Sequence, residues 1–274
     1  MITSIANKRM KNIILLMQKS RERKKQGLYV IEGMRLFKEA PPECIQEIYI
    51  SEDLRQDREN YEQVTAKVFQ CINIQNRVKV DVLTNVLFKK ISDTQTPQGI
   101  LCVLKMPQYE EEDLLSDENG LYMILEDIQD PGNLGTIFRT GEGAGITGVI
   151  MSGQTVDIFN PKAIRATMGS IYRVPFVYSE DLHESIYHMQ KNGVRVFAAH
   201  LKGSSVYDEN NYCRPTAFLI GNEGNGLKEE TAALADGAIR IPMEGQVESL
   251  NASIAASLLM YECARQRRND RSRA

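Results

Sequence analysis

Apolar positions recur along this chain in two rhythms, and the rhythm shifts near its middle. Between residues 5 and 19, Ile13, Leu16 and Met17 fall at helical spacing, which predicts a helix with one apolar face. Residues 28–31 (LYVI) predict a short strand, and residues 34–39 a helix after it. Residues 48–50 and 99–104 (GILCVL) predict two more strands. Short strands interleaved with helices imply a small α/β layer.

The second half is more regular. Residues 121–125 (LYMIL), 148–151, 194–199 (VRVFAA) and 217–220 (AFLI) are continuous apolar runs. Runs apolar on both faces suit a parallel sheet covered by helices on each side. A loop, EDIQDPGN, leads from the first run into a helix predicted from about Leu134 to Glu142. A last helix is predicted from Glu248 to about Arg267. It carries Ile254, Leu258 and Tyr261 on one face and enough Ala and Ser to pack closely. Between the halves, residues 109–120 (YEEEDLLSDENG) are acidic, follow Pro107 and end in Asn-Gly, a boundary signal. The chain is therefore divided as 1–108, a connector 109–120, and 121–274.

Composition adds a compartment and a partner class. Nothing approaches the roughly 20 apolar residues that span a bilayer, so no membrane association is expected. Charges flank the short run at residues 13–17, which argues against a signal peptide. Cys44, Cys71, Cys102, Cys213 and Cys263 are widely spaced and odd in number, which fits a reducing cytoplasm better than a disulfide framework. Net charge is −3, yet the first 30 residues hold eight basic side chains against Glu22, and the tail from Glu262 holds five arginines against two acids. Basic ends on a mildly acidic chain point to a polyanion.

Several chemistries lack their residues. The glycines of 141–145 follow a predicted helix and lead into a strand, the reverse of a dinucleotide loop, so they read as a helix end and turn. No phosphate-binding G-x-x-x-x-G-K-[ST] and no G-x-S-x-G occur. His183-Glu184 and His188 miss the zinc spacing by one residue, and no metal is expected.

Three segments do not look like scaffold. Residues 133–139 (NLGTIFR) put Asn133 near a helix N-terminus, with Arg139 about two turns on. Residues 221–227 (GNEGNGL) follow a strand and precede a helix, and three glycines allow the backbone to approach a ligand. Residues 241–251 (IPMEGQVESLN) leave a strand at Ile241 and set Ser249 and Asn251 at the start of the last helix.

In this order the segments resemble the three motifs of the SpoU (TrmH-type) RNA 2′-O-methyltransferases of the SPOUT superfamily. Residues 30–40 (VIEGMRLFKEA) and 94–104 (TQTPQGILCVL) resemble that family's N-terminal substrate-binding domain, which is like a small ribosomal protein. The resemblance implies an α/β protein whose C-terminal parallel-sheet domain holds a deep trefoil knot. It implies a homodimer with each active site near the subunit interface. It implies S-adenosyl-L-methionine, bent in the knotted loops, against Gly221, Ile241 and Leu250, with Met243 and Asn251 added. Arg139 is implied in activating a ribose 2′-hydroxyl, with Asn133, Glu223, Ser249 and Asn251 orienting the ribose and the loops. Because arginine keeps its charge, Arg139 is expected to stabilise the developing alkoxide, the proton passing to a phosphate or water. Ribosomal RNA is the expected substrate. A transfer RNA enzyme and a non-catalytic RNA-binding member of the fold are the alternatives.

Overall fold

The computed structural model describes residues 1–75 and 78–272, and the chain divides into two compact units. Arg273, one of the five tail arginines, lies outside the described residues. The first unit comprises Met1–Pro107 together with Asp157–Tyr172. Its elements run α1 (Lys8–Gln18), α2 (Ser20–Gln26), β1 (Leu28–Glu32), α3 (Met34–Glu39), β2 (Ile45–Ser51), α4 (Glu52–Gln56), α5 (Arg58–Gln75), β3 (Lys79–Leu83), α6 (Asn85–Ile91) and β4 (Ile100–Lys105). The four strands form one sheet in the order β1-β4-β2-β3. β4 is antiparallel to both neighbours, and β2 and β3 run parallel.

The helix read from residues 5–19 begins at Lys8, because the Asn7 side chain caps it by accepting from the Arg9 N–H at 2.9 Å. Met10, Ile13 and Leu16 form its buried face, packed with Tyr49, Leu87, Phe88 and Leu101. α4, α5, β3 and α6 had no counterpart in the apolar rhythm. In β3 only Leu83 is buried, so alternation gives no signal there.

The second unit comprises Gln108–Val156 and Arg173–Ala274. It opens with α7 (Glu111–Leu114), β5 (Leu121–Leu125), α8 (Pro131–Ala144) and β6 (Gly148–Ser152). Within the acidic stretch 109–120, Leu114 is buried and Tyr109 stacks edge-on to Phe176, with ring centroids 5.6 Å apart. After β6 the chain enters the Asp157–Tyr172 segment, with α9 (Pro161–Thr167) and a short 3-10 turn. It then continues through β7 (Phe176–Ser179), α10 (Leu182–Lys191), β8 (Arg195–Ala199), β9 (Ser205–Val206), β10 (Thr216–Ile220), α11 (Glu229–Ala232), β11 (Gly237–Arg240) and α12 (Ala252–Arg271).

Seven strands form a sheet in the order β7-β6-β5-β10-β8-β11-β9, and every pairing is parallel. β5, β6 and β10 are buried at every residue, as their unbroken apolar runs require. The chain winds outward from β5 through β6 to β7, crosses to β8 and the edge strand β9, and then returns to lay β10 between β5 and β8 before continuing to β11. β5 and β10 thus flank the point where the winding reverses, and the crevice at the carboxyl ends of such strands is the usual ligand site of open α/β sheets.

Two helices differ from their sequence reading. α8 starts at Pro131, not Leu134, because Asp130 caps it and proline is tolerated at its first position. It ends at Gly145, in the left-handed region at φ 79°, as the 141–145 glycines foretold. α12 starts at Ala252, not Glu248, because the Asn251 side chain accepts from the Ser253 and Ile254 N–H groups. It buries Ala252, Ser253, Ala256, Leu259, Met260 and Cys263. Ile254, Leu258 and Tyr261, read as one packed face, stay exposed at 49%, 38% and 47%.

The Asp157–Tyr172 segment is held in the first unit by a buried ion pair. Arg23, only 3% exposed, donates from Nε and Nη2 to Asp157 Oδ2 at 2.8 and 2.6 Å. Its Nη1 donates to the carbonyls of Leu16 and Met17 at 2.7 and 3.1 Å. Tyr29 and Phe159 pack beside it with ring centroids 4.6 Å apart. Removing one partner of a buried pair leaves the other charge uncompensated. Asp157→Ala should cost about 3 kcal/mol in urea denaturation. A loss under about 1 kcal/mol, the range of an exposed pair, would show that the two carbonyls suffice for Arg23.

Candidate active site

Three loops leave the sheet where its winding reverses or close to that point. Glu126–Asp130 follow β5, residues 221–228 follow β10, and residues 241–251 run from β11 to α12. The first two meet through backbone and carboxylate. Glu223 Oε2 accepts from the Gln129 N–H at 3.0 Å, and Oε1 accepts from the Asp130 N–H at 3.0 Å. Asn133, in the first turn of α8, donates from Nδ2 to Glu223 Oε1 at 2.9 Å. Asn251 donates from Nδ2 to Asn133 Oδ1 at 3.0 Å, which brings in the third loop. Three segments 90 and 118 residues apart are thereby joined by one polar chain.

Its direction is fixed chemically. Glu223 only accepts, so Asn133 presents its NH2 to Glu223 and its Oδ1 to Asn251. Asn251 then presents its NH2 to Asn133 and keeps Oδ1 for the start of α12. There it takes the Ser253 N–H and hydroxyl at 2.9 and 2.7 Å. Each asparagine retains a second amide N–H for a ligand oxygen.

Burial pushes the Glu223 carboxyl up, but bonds from Asn133, Gln129 and Asp130 outweigh it and leave the group below its ordinary range. The clamp therefore persists at neutral pH and is released only in acid, as pH falls through that lowered value. Asp127 behaves likewise. Burial raises its carboxyl, while the bonds from Lys228 Nζ at 2.9 Å and Ser152 Oγ at 2.7 Å bring it down to below its usual value.

The 221–227 loop is folded too tightly for side chains at its start. A Cβ on Gly221 would lie 2.2 Å from the Gly226 carbonyl carbon and the Leu227 nitrogen. Asn222 and Gly226 exchange backbone bonds of 3.1 and 2.9 Å, and Asn222 Nδ2 ties the loop to the Asp127 carbonyl at 2.8 Å. Ile241, Met243 and Leu250 are half-buried on a stretch without regular structure.

Two of the predicted catalytic residues stand outside the polar chain. Arg139 is exposed, with no hydrogen-bond or ion-pair partner among the described residues. Six residues separate it from Asn133, which turns it about 120° round α8 rather than onto the same flank. Ser249 is exposed and bonds to nothing among the described residues. Sequence reasoning overlooked Glu126, Asp127, Asp130 and Asn222. Asp130 was legible as a cap before proline. Glu126 was marked only by being a charge directly after a wholly apolar run. A cavity of about 590 Å³ in the first unit, lined by Ser51, Asp53, Asn85, Lys89 and Gln98 among others, contains none of the predicted site residues.

Residues 120–261 match the SpoU rRNA Methylase family, and residues 7–102 match the MRM3-like substrate binding domain. The chain is 31% identical over 262 residues to the 23S rRNA (guanosine(2553)-2'-O)-methyltransferase RlmP of Bacillus subtilis, covering 95% of this chain and 97% of that one. Among solved structures, the AdoMet-bound rRNA methyltransferase from Sinorhizobium meliloti superposes with a TM-score of 0.83 at 30% identity, covering 96% of this chain and 97% of that one. The SpoU methyltransferase AviRb from Streptomyces viridochromogenes shares the fold, with a TM-score of 0.81 at 24% identity, covering 96% and 99% of the two chains.

Gly221→Ala should destabilise the protein by about 1–3 kcal/mol, the usual cost of overpacking. Gly224→Ala, whose Cβ would meet nothing nearer than Asn222 Oδ1 at 3.5 Å, should be near neutral. Equal melting temperatures for the two variants would show that the loop relaxes freely.

Proposed function

The chain belongs to the SpoU rRNA methylase family, and on that premise we propose that it methylates a ribose 2′-hydroxyl of ribosomal RNA with S-adenosylmethionine as donor. The observation that carries this reading is the Glu223–Asn133–Asn251 chain, which joins all three motif segments through their polar side chains. The residues present fit the donor. Gly221 begins a loop that a single Cβ would disrupt, and Ile241, Met243 and Leu250 are apolar side chains left half-buried. Gly221, Ile241, Met243, Leu250 and Asn251 would hold it. Once bound, it supplies an electrophilic methyl group on a sulfonium.

The remaining work falls to side chains of this protein. Arg139 carries an unpaired, permanently charged guanidinium. It holds the ribose and its phosphate and stabilises negative charge as the 2′-oxygen loses its proton. A phosphate oxygen or water takes that proton. The spare N–H groups of Asn133 and Asn251 orient the oxygens, Ser249 joins them from the 241–251 stretch, and Glu223 keeps both amides facing the right way. Holding nucleophile and methyl group in line is itself a large part of the rate.

Residues 1–108 form the RNA-binding part in this reading, and residues 121–274 the catalytic part. Support comes from the exposed Lys8, Lys11, Lys19, Arg21 and Lys25 of α1, α2 and the residue between them. Arg9 and Arg23, counted with that group in the sequence, are spent internally: Arg9 pairs with Asp81 and Glu47, and Arg23 with Asp157. A homodimer belongs to the reading, supported by the exposed Ile254, Leu258 and Tyr261. So does a deep trefoil knot, supported by the return of α12 from the far strands to β5, β10 and α8. A cytoplasmic setting accords with five free cysteines. Among the described residues no helix is long and apolar enough to cross a membrane.

The test offers purified protein and labelled S-adenosylmethionine unmodified ribosomal RNA or transfer RNA, with products digested to nucleosides. Label should appear in a 2′-O-methylnucleoside from ribosomal RNA. Arg139→Ala should lower turnover by about 100-fold or more, as loss of a charge-stabilising donor does, with donor affinity unchanged. Undiminished turnover in that variant would remove Arg139 from the reaction. RNA affinity should also fall steeply with salt. Lys8→Ala with Lys11→Ala should flatten the dependence, whereas Arg9→Ala should not; equal slopes in all three proteins would move the phosphate contacts elsewhere.

A further inference from the structure

The most deeply buried carboxylate beside the proposed donor loop belongs to none of the three motif segments. Glu126 is the first residue after β5 and is 3% exposed. Its N–H donates to the Ile220 carbonyl at 2.9 Å, continuing the β5–β10 ladder one step beyond the strands. Its side chain reaches the other end of the loop that starts there. Oε2 accepts from the Lys228 N–H at 2.9 Å, and Oε1 accepts from the Thr231 hydroxyl at 2.6 Å. One residue therefore grips the entry of the 221–227 loop by its backbone and the exit by its carboxylate.

Two neighbours strengthen the grip. Asp127 adopts φ 55°, a costly conformation for a residue with a side chain. Its carbonyl receives Asn222 Nδ2 at 2.8 Å, and its carboxylate receives Lys228 Nζ at 2.9 Å. Behind Glu126, Thr231 is fully buried and lies 3.0 Å from His183 Nε2. A hydroxyl has one proton. Thr231 spends it on Glu126, so His183 supplies its Nε2 proton to Thr231. The relay runs from His183 to Thr231 to Glu126, with every buried polar atom matched.

We propose that Glu126 is a positioning residue that sets the 221–227 loop in its donor-binding shape, so that its loss weakens S-adenosylmethionine binding without weakening RNA binding. The inference rests on the donor assignment above. Glu126 does not touch the reacting atoms in this scheme; it acts through Lys228, Thr231 and the loop between them and β10.

Replacements of different chemistry separate this role from simple packing. Glu126→Ala removes both acceptors, so the Lys228 N–H loses its partner and the buried Thr231 hydroxyl keeps only His183. Glu126→Leu keeps most of the volume but also offers no acceptor. Glu126→Gln can rebuild the relay in reverse: its oxygen accepts from Lys228, its NH2 donates to Thr231, and Thr231 turns its proton to His183. Thr231→Val breaks one link only.

The experiment is calorimetric titration of S-adenosylmethionine into the full chain and each variant, with thermal melts and with KM for ribosomal RNA in parallel. Glu126→Ala and Glu126→Leu should raise the donor Kd about tenfold or more, the scale of one lost bond to a charged group. Glu126→Gln should recover to within about threefold, Thr231→Val should fall between, and the KM for RNA should stay within about twofold throughout. An unchanged donor Kd in a folded Glu126→Leu or Glu126→Ala protein overturns the proposal, as does an RNA KM that rises in step with the donor Kd. Should both fail to fold, Thr231→Val decides by the same criterion. If the unsubstituted protein itself binds no donor, the donor assignment has failed and this proposal falls with it; a normal wild-type Kd beside indifferent variants defeats this proposal alone.

Discussion

The arrangement of the site hangs on a carboxylate that can accept hydrogen bonds but not give them. Glu223 draws the amide nitrogen of Asn133, that choice turns the Asn133 oxygen toward Asn251, and Asn251 is left with its own oxygen free for the N-terminus of α12. Helix N-termini demand acceptors, so the chain ends where acceptance is needed. A donor at position 223 would set the asparagines in conflict with the helix they cap. Charge, amide orientation and the starting point of a 20-residue helix are one decision made once.

That decision takes effect because the sheet delivers its participants to the same end. All strands of the second unit point one way, so every loop leaving a carboxyl end emerges on one edge. The reversal between β5 and β10 separates the helices on either side and opens a crevice between the loops. Glu126 and Asp127 sit on one lip, and the 221–227 loop forms the other. The asparagines and carboxylates then hold the loops in register.

Much of this was legible in one dimension. β5 was read to the residue, and β10 to within one, because strands buried on both faces leave unbroken apolar runs. The three motif segments announced themselves by glycine spacing and by polar residues where a fold has no use for them. What stayed hidden depended on partners far away in sequence. Thr231 and Glu126 are 105 residues apart, and neither is unusual by itself. The apolar spacing of Ile254, Leu258 and Tyr261 reported a real stripe, but periodicity says only that a stripe exists, and the buried face of α12 turned out to be its Ala, Leu259, Met260 and Cys263 side. Helix starts were misjudged at Asp130-Pro131 and at Asn251 for one shared reason: a side chain, rather than an apolar pattern, sets where the helix begins. Arg139 was assigned by motif, and its unpartnered guanidinium is something no pattern of neighbours could disclose.

The bond between Arg23 and Asp157 bears on how such a protein can be taken apart. The first unit is not a contiguous stretch of sequence; it borrows 16 residues, Asp157–Tyr172, from the middle of the other half of the gene product. A fragment ending at residue 107 would carry Arg23 without its counter-charge and Tyr29 without Phe159. Grafting a foreign N-terminal portion onto this chain would likewise meet an Asp157 shaped for a partner it no longer has. Through this segment the two parts of the sequence are obliged to evolve as a matched pair.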